Sequence, residues 1–478
     1  MKNIKLILAV FSFLVLSSCS IEDVESNNIL LEENVITDET TAQNVLNRIY
    51  NSGLRNAAYG KGIGGMSGAG IVVELTLAGT EAKPISDRYS SFIPFSTNNV
   101  LNDEPILKSL YTDMYYNINL SNYFIALVGR GDANVSEARK NELLAEARFF
   151  RALSHFNLLK VFGEFYDLDS DLGIVISTKP VKSDTAHPRN SVSETYDVIL
   201  SDLQFASEYG SSGREHFYVT ATVARAFLAK VQLYMGNYNH AATNAMAVIN
   251  NADGYVLESA YNTVFSDRWG PETLLASYVN MLSEGAQAHR FSLNDLAPSD
   301  SFIALADAQD GIVGNGSNDY ASGYDPRFSF GYYLDDSNPN GLIRKYPFAV
   351  NASDGSGNAI KILRMPEVYL IYAEAEARRN GGSLSDALDA LNTVRNRVPG
   401  IAPKSLTDKA TLLEDIRNEK MLELYYETGE TWFDLVRYDR LGDINISSIK
   451  PSVTSSSKLI YPIPNEALLG NELLVPNP

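Results

Sequence analysis

Three glutamates, Glu419, Glu423 and Glu427, recur at every fourth position of "IRNEKMLELYYETGE", a spacing that sets three carboxylates on one side of a helix. Carboxylate pairs are the equipment of a glycosidase. Such an enzyme holds two of them across the scissile bond at about 5–5.5 Å or 6.5–9.5 Å, according to mechanism. Here Arg417 and Lys420 stand among the glutamates, and Met421, Leu422 and Leu424 supply packing from the same segment. Interleaved cations and leucines mark a face that is solvated or structurally paired, not a catalytic one. Asp434 and Arg437, three residues apart beside Trp432, read in the same way as a helix-end ion pair.

Other reactive groupings are sparse. The five histidines, at 155, 187, 216, 240 and 289, share no metal-ligand spacing. Asp167, Asp169 and Asp171 alternate as hard-cation ligands do, but the glycine comes one place late at Gly173 and Thr178 occupies the twelfth position, so "YDLDSDLG" reads as an acidic surface turn. "YGKGIGGMSGAG" lacks the Gly-Lys-Ser/Thr ending of a phosphate loop and reads as a flexible loop. No cofactor and no metal is expected. A net charge of −19 argues against nucleic acid as a partner.

The chain has one cysteine, Cys19, which excludes an intramolecular disulfide or a zinc thiolate cluster. Lys2 and Lys5 precede an apolar run from Leu6 to Leu16 that is shorter than the roughly 20 residues of a membrane span. Leu16-Ser17-Ser18-Cys19 then resembles a bacterial lipobox, whose thiol is acylated after cleavage before it. Residues 1–18 therefore read as a lipoprotein signal peptide, 19–36 as a lipidated tether and 37–478 as a single domain.

The elements that must position any site are mostly helices. "TAQNVLNRIYNSGLRNAAYG", behind Thr37 and Asp38 and stopping at a glycine, "ILKSLYTDMYYNINLSNYFIALV", "SEARKNELLAEARFFRALSHFNLLKVFG", behind Ser136, and "SVSETYDVILSDLQFASEYG" carry apolar residues at helical spacing. In "TATVARAFLAKVQLYMGNYNHAATNAMAVINNADG", Ala224, Ala229, Ala241 and Ala245 flank a Gly236-Asn237 break, the small-residue pattern of a tetratricopeptide hairpin. "EVYLIYAEAEARRNGGSLSDALDALNTVRNR" repeats it. Residues of about 60–105 and 251–362 differ, being rich in Gly, Asn, Ser, Asp and Tyr, with "GIVVELTL" and "GLIRKYPF" expected as strands. The fold class is mainly α, a tetratricopeptide-like helical-repeat scaffold with long irregular excursions.

Four motifs in order, "AEARFFRALSHFNLLKVFGEF", "RMPEVYLIYAEAEA", "IRNEKMLELYYETGETWFDLVRYDRLGD" and "YPIPNEALLGNELLVPNP", resemble those of the SusD/RagB family of outer-membrane glycan-binding lipoproteins. Thr431 departs from the family pattern, in which a basic residue is common there. The resemblance implies a lipid-anchored, surface-exposed protein of the outer membrane. It also implies a role in passing oligosaccharides to a SusC-like TonB-dependent transporter. The short acidic run Glu22, Asp23, Glu25 after Cys19 resembles the surface-export signal of Bacteroidetes lipoproteins.

Sugars offer flat C–H faces and a rim of hydroxyls, which aromatic rings and Asn, Asp or Arg side chains complement. The resemblance implies a glycan site built from the two excursions, where Arg88, Tyr89, Phe92, Asn98, Trp269 and Tyr320 are the candidate ligand-binding residues. Trp432 is expected in the core. Starch, β-glucan, chitin, host glycans and sulfated polysaccharides such as ulvan are all open as ligands; a polyanion would require a basic patch such as Lys83, Arg88, Arg268 and Arg290. A peptide-binding surface adaptor and a surface glycosidase are the alternative functions. If Cys19 is the anchor, Cys19→Ser moves the protein from the membrane fraction to the soluble fraction, and acyl labelling disappears with it.

Overall fold

The computed structural model describes residues 35–54, 69–85, 91–131, 134–183, 185–279, 296–309, 324–335, 338–343, 345–346 and 357–478. In chain order the first half carries α1 (Glu39–Leu54), α2 (Ala69–Ala78), β1 (Ala82–Pro84), α3 (Phe92–Ser96), α4 (Pro105–Gly129), α5 (Glu137–Phe162), α6 (Val192–Tyr209), α7 (Ala221–Tyr234) and α8 (Tyr238–Ile249). Then come β2 (Thr273–Ala276), β3 (Leu296–Pro298), α9 (Asp300–Gln309), α10 (Pro326–Gly331), β4 (Tyr332–Asp335), β5 (Asn338–Ile343) and β6 (Lys361–Arg364). The last part is α11 (Met365–Arg378), α12 (Leu384–Arg395), α13 (Lys409–Leu424), α14 (Glu430–Arg440), α15 (Ile446–Ile449) and α16 (Asn465–Gly470). Cys19 lies outside the described residues, and Ile36, at the expected end of the tether, is already buried in the core.

Consecutive helices from α4 to α8 pack side by side, and α8 packs on α11 although residues 250–360 intervene. The helical array is thus continuous, and that long segment leaves and rejoins it. Ser191 and Glu194 form a reciprocal capping box that starts α6, and Ser136 and Thr220 cap α5 and α7. The two hairpins form as the spacing predicts. Ala224, Ala229, Ala241 and Ala245 of α7 and α8, and Ala373, Ala375 and Ala387 of α11 and α12, are fully buried, and small side chains let packed backbones approach.

The two excursions meet. β1 pairs antiparallel with β3 (Ala82 opposite Pro298), while Ser299 N–H donates to the Glu81 carbonyl at 3.0 Å. β2 pairs with β6 (Thr273 opposite Arg364), closing the base of the longer excursion. One expectation is overturned: "GIVVELTL" is helix α2, not a strand. Every residue from Ile71 to Ala78 is buried, so the unbroken apolar run serves a helix packed on all sides, and Thr76 Oγ1 returns a hydrogen bond to the Val72 carbonyl at 2.8 Å. Of "GLIRKYPF", the first three residues join β5.

The centre is ionic. Glu419 and Glu423 project from α13 into the interior, and Glu427 joins them from beyond the helix end. Arg364 grips Glu427 through two hydrogen bonds of 2.6 and 2.8 Å and reaches Glu423 at 2.9 Å and Glu272. Arg327 bonds Asp325 (2.8 Å), Glu419 (2.5 Å) and Glu423 (3.1 Å). Arg395 takes the other Glu419 oxygen at 2.6 Å, Arg397 bridges Glu272 and Glu423, and Lys345 sits 2.7 Å from Glu427. Five carboxylates therefore face five cations, with every side chain at most 5% exposed. Burial opposes ionisation of Glu423, yet Arg397, Arg364 and Arg327 hold it well below the usual carboxylate range. Asp434 and Arg437 do pair, at 3.0 Å, inside a second buried cluster with Lys420 and Glu374.

Glu74 of α2 contrasts with this. It is 5% exposed, accepts from Ser91 Oγ at 2.7 Å, and its other oxygen has no hydrogen-bond partner among the described residues. Burial pushes it up to about 8. The folded protein thus keeps a proton that the unfolded chain releases above the ordinary carboxylate range. Its contribution to stability falls as pH climbs toward about 8 and is level above that. Glu74→Gln should match wild type at pH 4 and exceed it by about 2–4 kcal/mol at pH 8, as read from urea melts.

Candidate functional site

The sequence candidates part company in the structure. Arg88, Tyr89 and Tyr320 lie outside the described residues. Phe92 is 2% exposed in α3 and turns no ring face to solvent. Asn98 is buried too, and its amide does structural work. It adopts a positive φ of 48°, donates to the Ala78 carbonyl at the end of α2 (3.3 Å) and accepts from Ser452 Oγ at 2.7 Å. Both are corrected from surface contacts to packing residues. Trp432 is buried, as expected.

Trp269 survives at the surface in altered form. Its backbone is set by an Asx turn, with Trp269 N–H donating to Asp267 Oδ1 at 3.1 Å. Lys361 reinforces the turn by donating to the Asp267 and Arg268 carbonyls at 3.0 and 2.8 Å. Burial lowers that lysine to about 8. The indole is half-buried, packs on a small cluster of Ala276, Val279 and Ala359, and donates from Nε1 to the Ser277 carbonyl at 3.2 Å.

The ring that faces solvent is Tyr278, 57% exposed. Just past β2, Ser277 and Val279 turn inward while Tyr278 between them turns out, the alternation of an extended chain. Ser277 N–H donates to the Ile360 carbonyl at 3.0 Å, which continues the β2–β6 pairing by one residue. Tyr278 lies nearly parallel to Trp269, with planes 11° apart and centroids 5.8 Å apart. Phe217 packs tilted against Trp269 at 4.8 Å and edge-on against Tyr278 at 4.9 Å. It arrives from the α6–α7 connection because Ala276 N–H donates to the His216 carbonyl at 2.9 Å.

Electrostatics around these rings are muted. Arg268 is 4% exposed, lies 4.8 Å from the Trp269 ring centre and donates to the Val279 carbonyl at 2.6 Å. Lys83 is bound to Asp300 at 2.7 Å. Neither supplies the basic patch that a polyanion would require, and Arg88 and Arg290 lie outside the described residues. The three-glutamate stripe is consumed by the buried ion network. Among the described residues no cluster of three or more His, Cys, Asp or Glu could hold a metal ion, and Asp167 accepts from the Asp169 N–H at 3.1 Å as a turn residue does.

What the arrangement offers is a rigid, half-exposed aromatic surface of Tyr278, Trp269 and Phe217. Trp269→Ala removes a supporting ring and should cost roughly 2 kcal/mol or more of stability. Tyr278→Ala, at an exposed position, should change it by less than about 0.5 kcal/mol. Thermal melts of the two variants, side by side, test which ring supports and which presents.

Residues 303–478 match the model of the SusD family, and residues 81–233 match a model described as starch-binding associating with outer membrane. The chain is 25% identical to the SusD-like protein P2 of Formosa agariphila over 98% of both chains. It is 26% identical to a SusD-like protein of Bacteroides ovatus, covering 74% of this chain and 70% of the relative. Among solved structures, a SusD superfamily protein of Bacteroides thetaiotaomicron superposes with a TM-score of 0.73 at 24% identity, over 93% of this chain and 100% of the other. A putative sugar binding protein of Bacteroides vulgatus gives 0.73 at 22% identity, over 93% and 99%. These two likenesses concern the fold.

Proposed function

The chain belongs to the SusD family, and from that premise we propose that it is a non-catalytic, glycan-binding lipoprotein of the outer membrane whose ligand stacks on Tyr278. The carrying observation is the exposed Tyr278 ring, held nearly parallel to Trp269 and braced by Phe217. An aromatic face fixed by its neighbours loses little freedom when a sugar ring settles on it. The family description as starch-binding, and the sugar-binding name of a structural neighbour, support the same ligand class.

In this reading Cys19 is acylated and holds the body at the cell surface, where it delivers oligosaccharides to a SusC-like TonB-dependent transporter. No step of bond cleavage is assigned, because the carboxylates with glycosidase-like spacing are locked to arginine and lysine in the interior. Tyr278→Ala should weaken binding of the preferred oligosaccharide by about 1–3 kcal/mol, roughly 5- to 150-fold, by analogy with base stacking on aromatic side chains. Calorimetric titration against a polysaccharide-derived panel reads this. Unchanged affinity in a folded variant would remove Tyr278 from the site, and release of reducing sugar by wild type would replace the binding role with a catalytic one.

A further inference from the structure

On different elements of the chain, the C-terminal segment lies against α4 and encloses a groove of about 420 Å³. Small-molecule sites run from roughly 300 to 1,000 Å³. One wall is a single stripe of α4, Lys108, Tyr111, Thr112 and Tyr115, at the i, i+3, i+4, i+7 spacing that shares a helix face. The facing wall runs from Pro464 to Asn471 and includes α16. Asn465 N–H donates to the Asn102 carbonyl at 2.9 Å and Lys108 Nζ to Glu466 at 2.5 Å, so the two walls are joined at one end.

Both tyrosines are half-buried and neither is loose. Their rings meet at 4.8 Å and 51°, Tyr111 packs edge-on against Phe162 at 5.3 Å, and Tyr115 donates its hydroxyl to the Val175 carbonyl at 3.0 Å. Around them stand the Thr112 hydroxyl, the Asn471 amide and the Lys108–Glu466 pair, whose charges cancel and whose side chains are about half exposed (51% and 53%). A floor of fixed aromatic rings, with neutral donors and acceptors at its edge and lining charges that cancel, matches an uncharged pyranose ring.

We propose that this groove is a second carbohydrate site, selective for uncharged sugars and separate from the Tyr278 surface. Its residues come from α4, the C-terminal segment and Val175 and Thr185 of the α5–α6 connection, whereas Phe217, Trp269 and Tyr278 come from the α6–α7 connection and the β2 region. A protein that holds a polymer at two places gains avidity for long chains over short ones.

Hydrogen exchange of the full chain, with and without maltohexaose, laminarihexaose, chitohexaose and a sulfated ulvan oligosaccharide, separates the two sites by peptide. Protection of residues 105–116 and 464–472 by a neutral hexasaccharide and not by the ulvan fragment is the expected result. It should be abolished by Thr112→Trp, which fills the groove from an exposed position and leaves the fold intact. Calorimetric stoichiometry should fall from two to one in that variant. Protection confined to residues 214–219 and 269–279 overturns the second site and leaves the Tyr278 reading standing. Protection confined to the groove does the reverse, and protection of neither region across the panel overturns both.

Discussion

Ten ionised side chains without solvent must be mutually neutralised or the interior cannot hold together. Glu272, Asp325, Glu419, Glu423 and Glu427 meet Arg327, Arg364, Arg395, Arg397 and Lys345 in that balance. Coulombic attraction inside a protein offsets desolvation only when nearly every oxygen and N–H finds a partner. Here the guanidinium of Arg364 alone makes hydrogen bonds to Glu272, Glu423 and Glu427. Such a network contributes geometry more than net stability: its members are costly to separate, so they fix the elements that carry them.

Those elements come from distant parts of the chain. Arg364 ends β6, Glu272 precedes β2, Arg327 lies in α10, and Glu419 and Glu423 belong to α13. The network thereby ties the long excursion to the helical array at the place where β2 pairs with β6. Beyond that pairing the chain runs directly into Ser277, Tyr278 and Val279, so the presented ring stands a few residues from the ionic clamp. Gly429, at φ 70°, completes the junction: a β-carbon there would meet Leu75 at 2.7 Å, and the turn between α13 and α14 can press against α2 only without one.

Most of the helical frame was legible because amphipathic spacing and Ser, Thr and Asp caps are local signals. That Glu419 and Glu423 are structural and not catalytic was legible from their cationic and apolar neighbours, but not that they are buried, nor that Glu427 lies beyond the helix, which ends at Leu424 before Tyr426 turns to φ 65°. The site was harder to read. Asn98 has polar neighbours in sequence and Phe92 follows two serines, yet both are buried. Tyr278 carried one usable signal, its place between Ser277 and Val279 in an extended run. Phe217 carried none, since it reaches the site through a long-range hydrogen bond between Ala276 and His216.

The buried network positions the aromatic surface. Glu272 is fully buried, so its carboxylate makes no contact with a ligand, and it bonds both Arg364 and Arg397 beside β2. The most direct measurement is the oligosaccharide affinity of Glu272→Gln at a temperature where the variant remains folded. Affinity should fall by at least about fivefold, equivalent to roughly 1 kcal/mol, on changing a residue that never touches sugar. Wild-type affinity in the folded variant would contradict it.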